Sequence, residues 1–217
     1  NSINETVNHS KSLMEIVNLL GKELKRIFSS TGSTLYMLDP AGKTLTMQQF
    51  VISPEVTRRI EKMIGSTIPL IQIPIQEGGF FERILSSRRG SITTDRDEIQ
   101  KWMAEFVNTP FLPPVAKKMV HNLIPQIYDL LSIKSTIAIP LLLNGKVIGV
   151  LDTSSAGLFT EDDLRRIENI SRQLTAAIQH QQANEHVRRS EEFQQSVQNA
   201  LSASIAILNE EGVIVQV

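Results

Sequence analysis

Aromatic and basic side chains in the middle of the sequence are the residues that could best bind a small molecule. Phe81, Trp102 and Phe106, together with Phe80, could line an apolar pocket, because binding pockets are concave and mostly apolar with a few polar anchors. Arg83 could supply an anchor for an anionic group. The alternative is an ordinary aromatic core beside a solvated arginine. We predict Phe81, Arg83, Trp102 and Phe106 as ligand-binding candidates.

His121 is the fifth candidate ligand contact, either to an organic molecule or to a haem. It is followed by Asn122, and Pro125 stands four residues after it. A phosphoacceptor histidine would need an acid directly after it and the proline one place later, so phosphotransfer is not favoured. The alternative is a histidine on a helix surface or in the core. The other histidines fall on predicted solvated helices.

Several classes of chemistry are excluded by what the sequence lacks. It contains no cysteine, which excludes disulfides, thiolate metal sites, cysteine nucleophiles and a pigment attached by a thioether. It contains no HExxH, GxSxG, GxGxxG or P-loop motif, so a zinc hydrolase, a nucleophile elbow and a nucleotide cradle have no support. The acids at Asp95–Glu98 suit a helix N-terminus as well as a metal. We predict no catalytic residue, no metal and no covalent cofactor, and leave a non-covalent ligand open.

The composition is that of a globular protein without a strong electrostatic field. The 217 residues include 22 basic and 23 acidic side chains, and 41% are apolar, which favours one complete domain and part of a second. The near-zero net charge predicts no nucleic-acid partner. Because no apolar run approaches the roughly 20 residues that span a bilayer, we expect a cytoplasmic chain with no membrane insertion. The start at Asn1 suggests a piece of a longer polypeptide.

Periodicity predicts alternating helices and strands over the first two thirds of the chain. An amphipathic helix is expected over about 9–29, and proline at 69 and 74 favours an edge segment for 68–75. The helix over 113–131 should turn an apolar side that includes Val115 and Met119 to the core, with a kink at Pro125. The other predictions are strands over 34–39 and 43–52 and helices over 53–64, 80–87 and 95–107.

A hairpin gives the clearest β signal. Ser135–Leu143 and Lys146–Thr153 flank Asn144-Gly145, which suits a two-residue type I′ turn. Pairing across that turn would set Ile139 opposite Val150 and Leu141 opposite Ile148. Because both faces of the hairpin are apolar, both should be covered. This predicts an α+β fold, an α/β sandwich with a central sheet and helices on each face.

The last 60 residues read as one long helix followed by a short β segment. Thr160 and Asp163 resemble a capping box, and no Pro or Gly occurs from there to Glu211. From residue 179 to 195 the helix turns polar, so it should leave the globular core. Residues 204–217 then read as strand, turn, strand.

The order of these motifs resembles a GAF domain. The residues that carry the resemblance are Ile137–Asp152, Leu158–Leu164, Gln173–Ile178 and the first hairpin, Ser33–Leu45, and it covers about 10–180. It implies a sensory module with a six-stranded antiparallel sheet and a small-molecule pocket between that sheet and the helices of the middle region. The pigment-carrying cysteine of phytochrome-type members is absent, and so is the Asn-Lys-x-x-Asp signature of cyclic-nucleotide-binding members.

The end of the chain, residues 201–215, is similar to the opening of a PAS domain. We therefore predict a GAF-like sensory domain over 1–180, a signalling helix over 181–202 and the truncated start of a PAS domain over 203–217. The resemblance implies homodimerisation through the terminal helices, and PAS and output domains downstream in the same polypeptide.

The leading functional hypothesis is a module of a two-component or related phosphorelay system. It would bind a small molecule non-covalently and relay the signal through its C-terminal helix to a histidine kinase or a diguanylate cyclase. One alternative is a dimerisation spacer with no ligand. The other is a small-molecule enzyme, which the lack of cysteine disfavours because the GAF-like reductases rely on that residue.

Overall fold

A computed structural model describes residues 22–24, 26, 28, 30–68, 71–204, 207–208 and 214–216. The chain divides into two compact units, Asn1–Ala177 and Ile178–Val217. The first predicted helix, over 9–29, lies largely outside the described residues; those of its positions that are described are helical.

The first unit is built on a six-stranded antiparallel sheet, as predicted. Its spatial order is β3-β2-β1-β6-β5-β4. The strands that come first and last in the sequence, β1 and β6, therefore lie side by side at the centre of the sheet. The short edge strands β3 and β4 leave little unpaired backbone exposed. The strands are β1 (Ser30–Leu38), β2 (Thr44–Ile52), β3 (Gln72–Pro74), β4 (Ser91–Thr93), β5 (Ser135–Leu143) and β6 (Lys146–Ser155).

Besides the first helix, five helices complete the described fold, and local sequence sets their ends. Ser53 Oγ accepts the N–H of Val56 at 3.2 Å to begin α1, and Gly65 ends it with a φ of 72°. At the start of α5, the backbone N–H of Thr160 donates to Asp163 Oδ2 and the backbone N–H of Asp163 donates to Thr160 Oγ1, as the capping-box interpretation predicted. The helices are α1 (Pro54–Ile64), α2 (Phe80–Ser87), α3 (Arg96–Glu105, continued by a 3₁₀ turn at Phe106–Asn108), α4 (Pro114–Leu131) and α5 (Glu161–Ser204).

Both faces of the sheet are covered, which confirms the predicted fold class. Tyr36 and Val150 belong to a buried cluster with residues of α1–α4. Their neighbours Leu35 and Leu151 point to the opposite face and are also buried, as is Ile167 of α5. Alternation of side chains along each strand therefore divides the core into a layer under α1–α4 and a layer under the first part of α5.

The register predicted for the β5–β6 hairpin was wrong by one residue. Asn144 and Gly145 have φ values of 50° and 74°, as a type I′ turn requires, but a β-bulge follows between Leu141 and Leu142. Ile139 therefore pairs with Leu151 rather than with Val150. A bulge adds one residue to one strand, and two apolar faces give no alternation from which to detect it.

The apolar side predicted for α4 was wrong at Val115. Val115 is 84% exposed, whereas Ile124 and Ile127 are buried. Met119 is 47% exposed but also borders the cavity described below. Val115 lies on the opposite side of the helix from Ile124, because nine positions correspond to about two and a half helical turns. Pro125 lies inside the helix.

The second unit contains the rest of α5 and a short antiparallel pair. Helix α5 is unbroken over 44 residues, as the lack of Pro and Gly predicted. Strand β7 (Ile207–Leu208) pairs with β8 (Ile214–Gln216), where a strand, a turn and a strand were predicted. No helix in the described residues is long and apolar enough to cross a membrane.

Candidate functional site

A cavity of about 190 Å³ lies between the sheet and the helices α1, α3 and α4 that cover one of its faces. The sheet contributes Thr34 and Met47. The wall opposite is formed by α1, by α3 with its 3₁₀ turn, by α4 and by Ser66, Ile68 and Ile71. The cavity therefore occupies the space between sheet and middle-region helices in which a binding pocket was expected.

Among the residues that the structure describes, the wall of this cavity is mostly apolar and includes no charged side chain. Four of these lining residues, Thr34, Ser66, Trp102 and Thr109, have side chains with a polar O or N atom. Trp102 Nε1 and Thr109 Oγ1 are buried and have no hydrogen-bond partner. The apolar lining residues are Met47, Ile60, Ile64, Ile68, Ile71, Met103, Phe106, Val107, Leu112, Ala116, Met119, Val120, Ile124, Ile127 and Leu131.

A cluster of aromatic rings joins this wall to the sheet. Trp102 and Phe106 meet edge to face with their centroids 5.3 Å apart. Phe106 also contacts Tyr36 of β1 and Phe81 of α2, at 6.1 and 6.0 Å. Such pairs add about 0.5–1.5 kcal/mol each beyond their buried area. The position of the Trp102 ring is therefore fixed from two sides, by the sheet and by α2.

Glu105 holds α2 against α3. Its buried carboxylate accepts the backbone N–H groups of Phe80 and Phe81 at the start of α2, where Gly79 offers no side-chain cap. A Cβ at Gly79 would stand 3.0 Å from Glu105 Oε1, so the contact depends on glycine. Burial raises the pKa of Glu105, and the two N–H groups lower it in part.

A second buried carboxyl group lies in the sheet, next to the cavity wall. Asp152 pairs across the β1–β6 ladder with Thr34, and its side chain is buried. Burial raises the pKa of Asp152 to about 7, against a smaller lowering by Tyr36 and Thr34. Asp152 Oδ2 and the Tyr36 hydroxyl nevertheless have no partner in hydrogen-bonding geometry. Burial, and then the charge of Asp152, raise the pKa of Tyr36 well above its usual value.

The five residues predicted to contact a ligand lie in three different places. Trp102 and Phe106 line the cavity. Phe81 is buried in the aromatic cluster but is not part of the wall. Arg83 lies on the surface, where it pairs with Glu98 at 2.6 Å. His121 is exposed on α4.

Sequence reasoning missed Thr109 and Asp152 as residues of interest. Thr109 is fully buried in an irregular segment, and no periodicity exists there to reveal it. Asp152 interrupts an apolar strand, which is a visible signal, but the wrong hairpin register gave it the wrong partner on β5. The bulge sets it opposite Ala138, its partner on β5.

The acidic run at residues 95–98 has structural partners. Asp95 Oδ1 accepts the N–H of Glu98 at 2.9 Å and so caps α3. Glu98 pairs with Arg83 and Lys101. Among the residues that the structure describes, no group of three histidine, aspartate or glutamate side chains could hold a metal ion.

An antiparallel sheet between helical layers, with an apolar cavity on one side, defines this molecule as an α+β domain. Residues 12–178 match the family model of the GAF domain. The chain therefore belongs to the GAF family, whose domains serve as small-molecule-binding sensory modules of signalling proteins. No curated protein matches the chain.

Solved structures share the fold at low sequence identity. The chain is similar to residues 122 to 287 of a methyl-accepting chemotaxis protein, with 18% identity, a TM-score of 0.55, and coverage of 82% of this chain and 96% of that one. The chain is also similar to the phycocyanobilin-bound GAF domain of a cyanobacterial phytochrome, with 15% identity, a TM-score of 0.56, and coverage of 85% of this chain and 94% of that one. A third similar structure is the free methionine-R-sulfoxide reductase of Neisseria meningitidis in complex with its substrate. The identity is 18%, the TM-score is 0.55, and the match covers 84% of this chain and 87% of that one.

Proposed function

We propose that this chain is a cytoplasmic sensory module that binds a small molecule non-covalently in the cavity between the sheet and helices α1, α3 and α4. The cavity carries the proposal. Its described lining is mostly aliphatic and aromatic, as in most small-molecule pockets, which bury the apolar surface of their ligands.

The signal would leave the module along α5 toward an output domain. Ligand binding would favour one packing of α3 and α4 against the sheet, and the long helix would carry the shift in population. The output domain we propose is a sensor histidine kinase, or alternatively a diguanylate cyclase, following a PAS domain that begins near residue 203. Sequencing the downstream part of the gene tests this assignment directly.

Homodimerisation through the terminal helices is part of the proposal. Val187, Phe193 and Val197 are exposed on the polar part of α5, and the last two lie one turn apart on one face. Light scattering over a concentration series should detect a dimer that Phe193→Glu weakens and Gln194→Glu does not. A strict monomer at high concentration would contradict this part of the proposal.

A thermal-shift screen of metabolites, with native mass spectrometry of the purified protein, tests ligand binding. A ligand at about 100 times its Kd adds about 2.7 kcal/mol to the free energy of unfolding, which corresponds to a rise in Tm of roughly 5–10 °C for a chain of this size. Ala116→Leu, which adds bulk in the cavity wall, should abolish the rise. Val115→Leu, at the exposed neighbouring position, should leave it unchanged.

A structural spacer is the competing function, because a domain can also use its helices for dimerisation alone. A spacer predicts no metabolite hit and no co-purified molecule. Ala116→Leu would then only stabilise the domain, by about 0.5–2 kcal/mol as cavity filling commonly does. The two hypotheses therefore differ in whether the wild-type protein shows a ligand-dependent Tm at all.

A further inference from the structure

We infer that the ligand of this cavity is an amphiphile whose flexible aliphatic chain lies inside the cavity and whose polar head group stays outside, at a mouth beside Ser66 and Met119. This inference rests on the proposed function, because it names the chemical class that the same cavity would take. It depends on three observations: a lining without charges, exposed lining residues on one side, and apolar surface that continues outside the cavity.

The lining leaves burial of apolar surface as the main source of affinity. Among the residues that the structure describes, the wall includes no Asp, Glu, Lys, Arg or His, and the sequence of residues 66–71 contains none. Trp102 Nε1 and Thr109 Oγ1 are fully buried, so neither atom faces the cavity. A charge drawn inside would lose its hydration without gaining a counter-ion. Any charged group of the ligand must therefore stay outside.

The cavity opens to solvent between the end of α1 and the first half of α4. Two of its lining residues are exposed there: Ser66, just after α1, and Met119 of α4. Ile124 and Ile127 lie further along α4, line the cavity as well and are buried, so they mark its inner end. The volume of about 190 Å³ therefore does not limit the length of a ligand, since a longer molecule can extend through the mouth.

Apolar surface continues from the mouth along the outside of α4. Val115 lies one turn before Met119 on the same side of the helix and is 84% exposed, and Phe111, just before the helix, is 61% exposed. Their sequence neighbours Leu112 and Ala116 line the cavity. Grouped exposed apolar side chains mark binding surfaces, whereas single ones are ordinary. A chain longer than the cavity would keep apolar contact there.

A flexible aliphatic chain fits this arrangement better than a rigid ring system. The described wall includes six isoleucines and three methionines, and methionine side chains adapt to irregular shapes. An aliphatic chain can turn from the cavity through the mouth onto α4, whereas a polycyclic molecule has one fixed shape. Each methylene group that is buried in this way should raise the affinity about fourfold.

Calorimetric titration of the full chain, with each probe below its critical micelle concentration, tests both parts of the ligand. Among saturated carboxylates of four, six, eight and ten carbons, the Kd should fall about fourfold for each added methylene group. Decanol and decyltrimethylammonium carry a neutral and a positive head group on the longest chain. Both should bind within about tenfold of decanoate, because the head group stays in solvent where charges are screened.

Methyl groups of methionine report where the chain lies. In protein labelled with ¹³C at the methionine methyl groups, decanoate should move the signals of Met47 and Met103, which line the cavity. The signal of Met37 is the control and should not move. Met37 follows Tyr36 on β1, and successive side chains of a strand point to opposite faces, so Met37 lies on the face away from the cavity.

Charged variants of Met119 test the position of the head group. Relative to decanol, which corrects for lost apolar contact, Met119→Glu should weaken decanoate and strengthen decyltrimethylammonium, each about twofold to fivefold at low salt. Met119→Lys should do the opposite. Gln126→Glu is the control, at an exposed position of α4. It lies about 10 Å further along the helix, which is about one Debye length at 0.1 M salt, so its effect should be small.

The inference is overturned if chain length does not change the affinity, if the signals of Met47 and Met103 do not move, or if the variants of Met119 affect all three head groups alike. It is also overturned if no alkyl probe binds while the metabolite screen finds another ligand. A hit in that screen keeps the sensory proposal, and only the ligand class is then wrong. If the screen finds no ligand, the native mass spectrum shows none and no alkyl probe binds, the proposed function itself is wrong.

Discussion

Replacing Asp152 with Asn should make the domain more stable at neutral and alkaline pH. The Asp152 side chain is buried in the sheet, and burial raises its pKa from 3.8 to about 7. In the unfolded chain the same carboxyl group ionises near its ordinary value. Folding therefore becomes harder as the group ionises, and an amide of the same shape removes that penalty.

The sign and size follow from proton linkage. Between pH 3.8 and about 7 the folded state binds the proton that the unfolded state has lost, so the free energy of unfolding falls as the pH rises. The full loss is about 4 kcal/mol at alkaline pH, and about 2.5 kcal/mol of it falls between pH 5 and pH 8. The stability contributed by the protonated group is thus complete only well below pH 4 and is lost through pH 7.

Urea denaturation of the wild type and of Asp152→Asn at pH 5, 6, 7 and 8 measures this difference. From pH 5 to pH 8, the free energy of unfolding of the wild type should fall by about 2.5 kcal/mol relative to that of the variant. Asp97→Asn, at an exposed position, is the control. Its free energy of unfolding should change with pH in the same way as that of the wild type. Parallel curves for Asp152→Asn, or a variant less stable than the wild type at pH 8, would refute the reasoning and mean that the carboxylate is solvated or paired.

Three further substitutions and one matched control test the packing of the domain by urea denaturation. Glu105→Ala should cost about 2–3 kcal/mol, because it leaves the amides at the start of α2 without their acceptor; a loss below 1 kcal/mol would argue against this cap. Gly149→Ala should cost more than about 3 kcal/mol or prevent folding, because the new Cβ would lie 2.2 Å from the carbonyl oxygen of Tyr36. Gly157→Ala is the control and should be tolerated, because the nearest atom to its Cβ would be 3.6 Å away. Ser53→Ala should cost about 1 kcal/mol by removing the cap of α1, and an unchanged midpoint would show that the cap does not contribute.

The location of the cavity followed in part from the sequence. Aromatic residues near Trp102 and Phe106 and the resemblance to the family pointed to the region between sheet and middle helices. They could not separate wall from core, because Phe81 and Phe106 are both buried apolar residues near one another and only Phe106 lines the cavity. Arg83 and His121 could be assigned to the surface only after their helices had been oriented.

Local interactions were determined by the sequence by itself. The Ser53 cap, the Asn144-Gly145 turn and the unbroken helix α5 depend on residues within a few positions of one another, so their chemistry is visible in a short window. The alternation of apolar residues likewise indicated a sheet covered on both faces. These features fixed the fold class and most element boundaries before any contact between distant residues was known.

Tertiary structure decided which side chains face the cavity. A one-residue bulge beside Leu141 set Ala138 rather than Ile137 opposite Asp152, and the sequence offers no sign of the bulge because both faces of the hairpin are apolar. Thr109 becomes a wall residue only because α3 and α4 close over the sheet around it. Such features depend on contacts between residues far apart in the chain, and periodicity within one element carries no information about them.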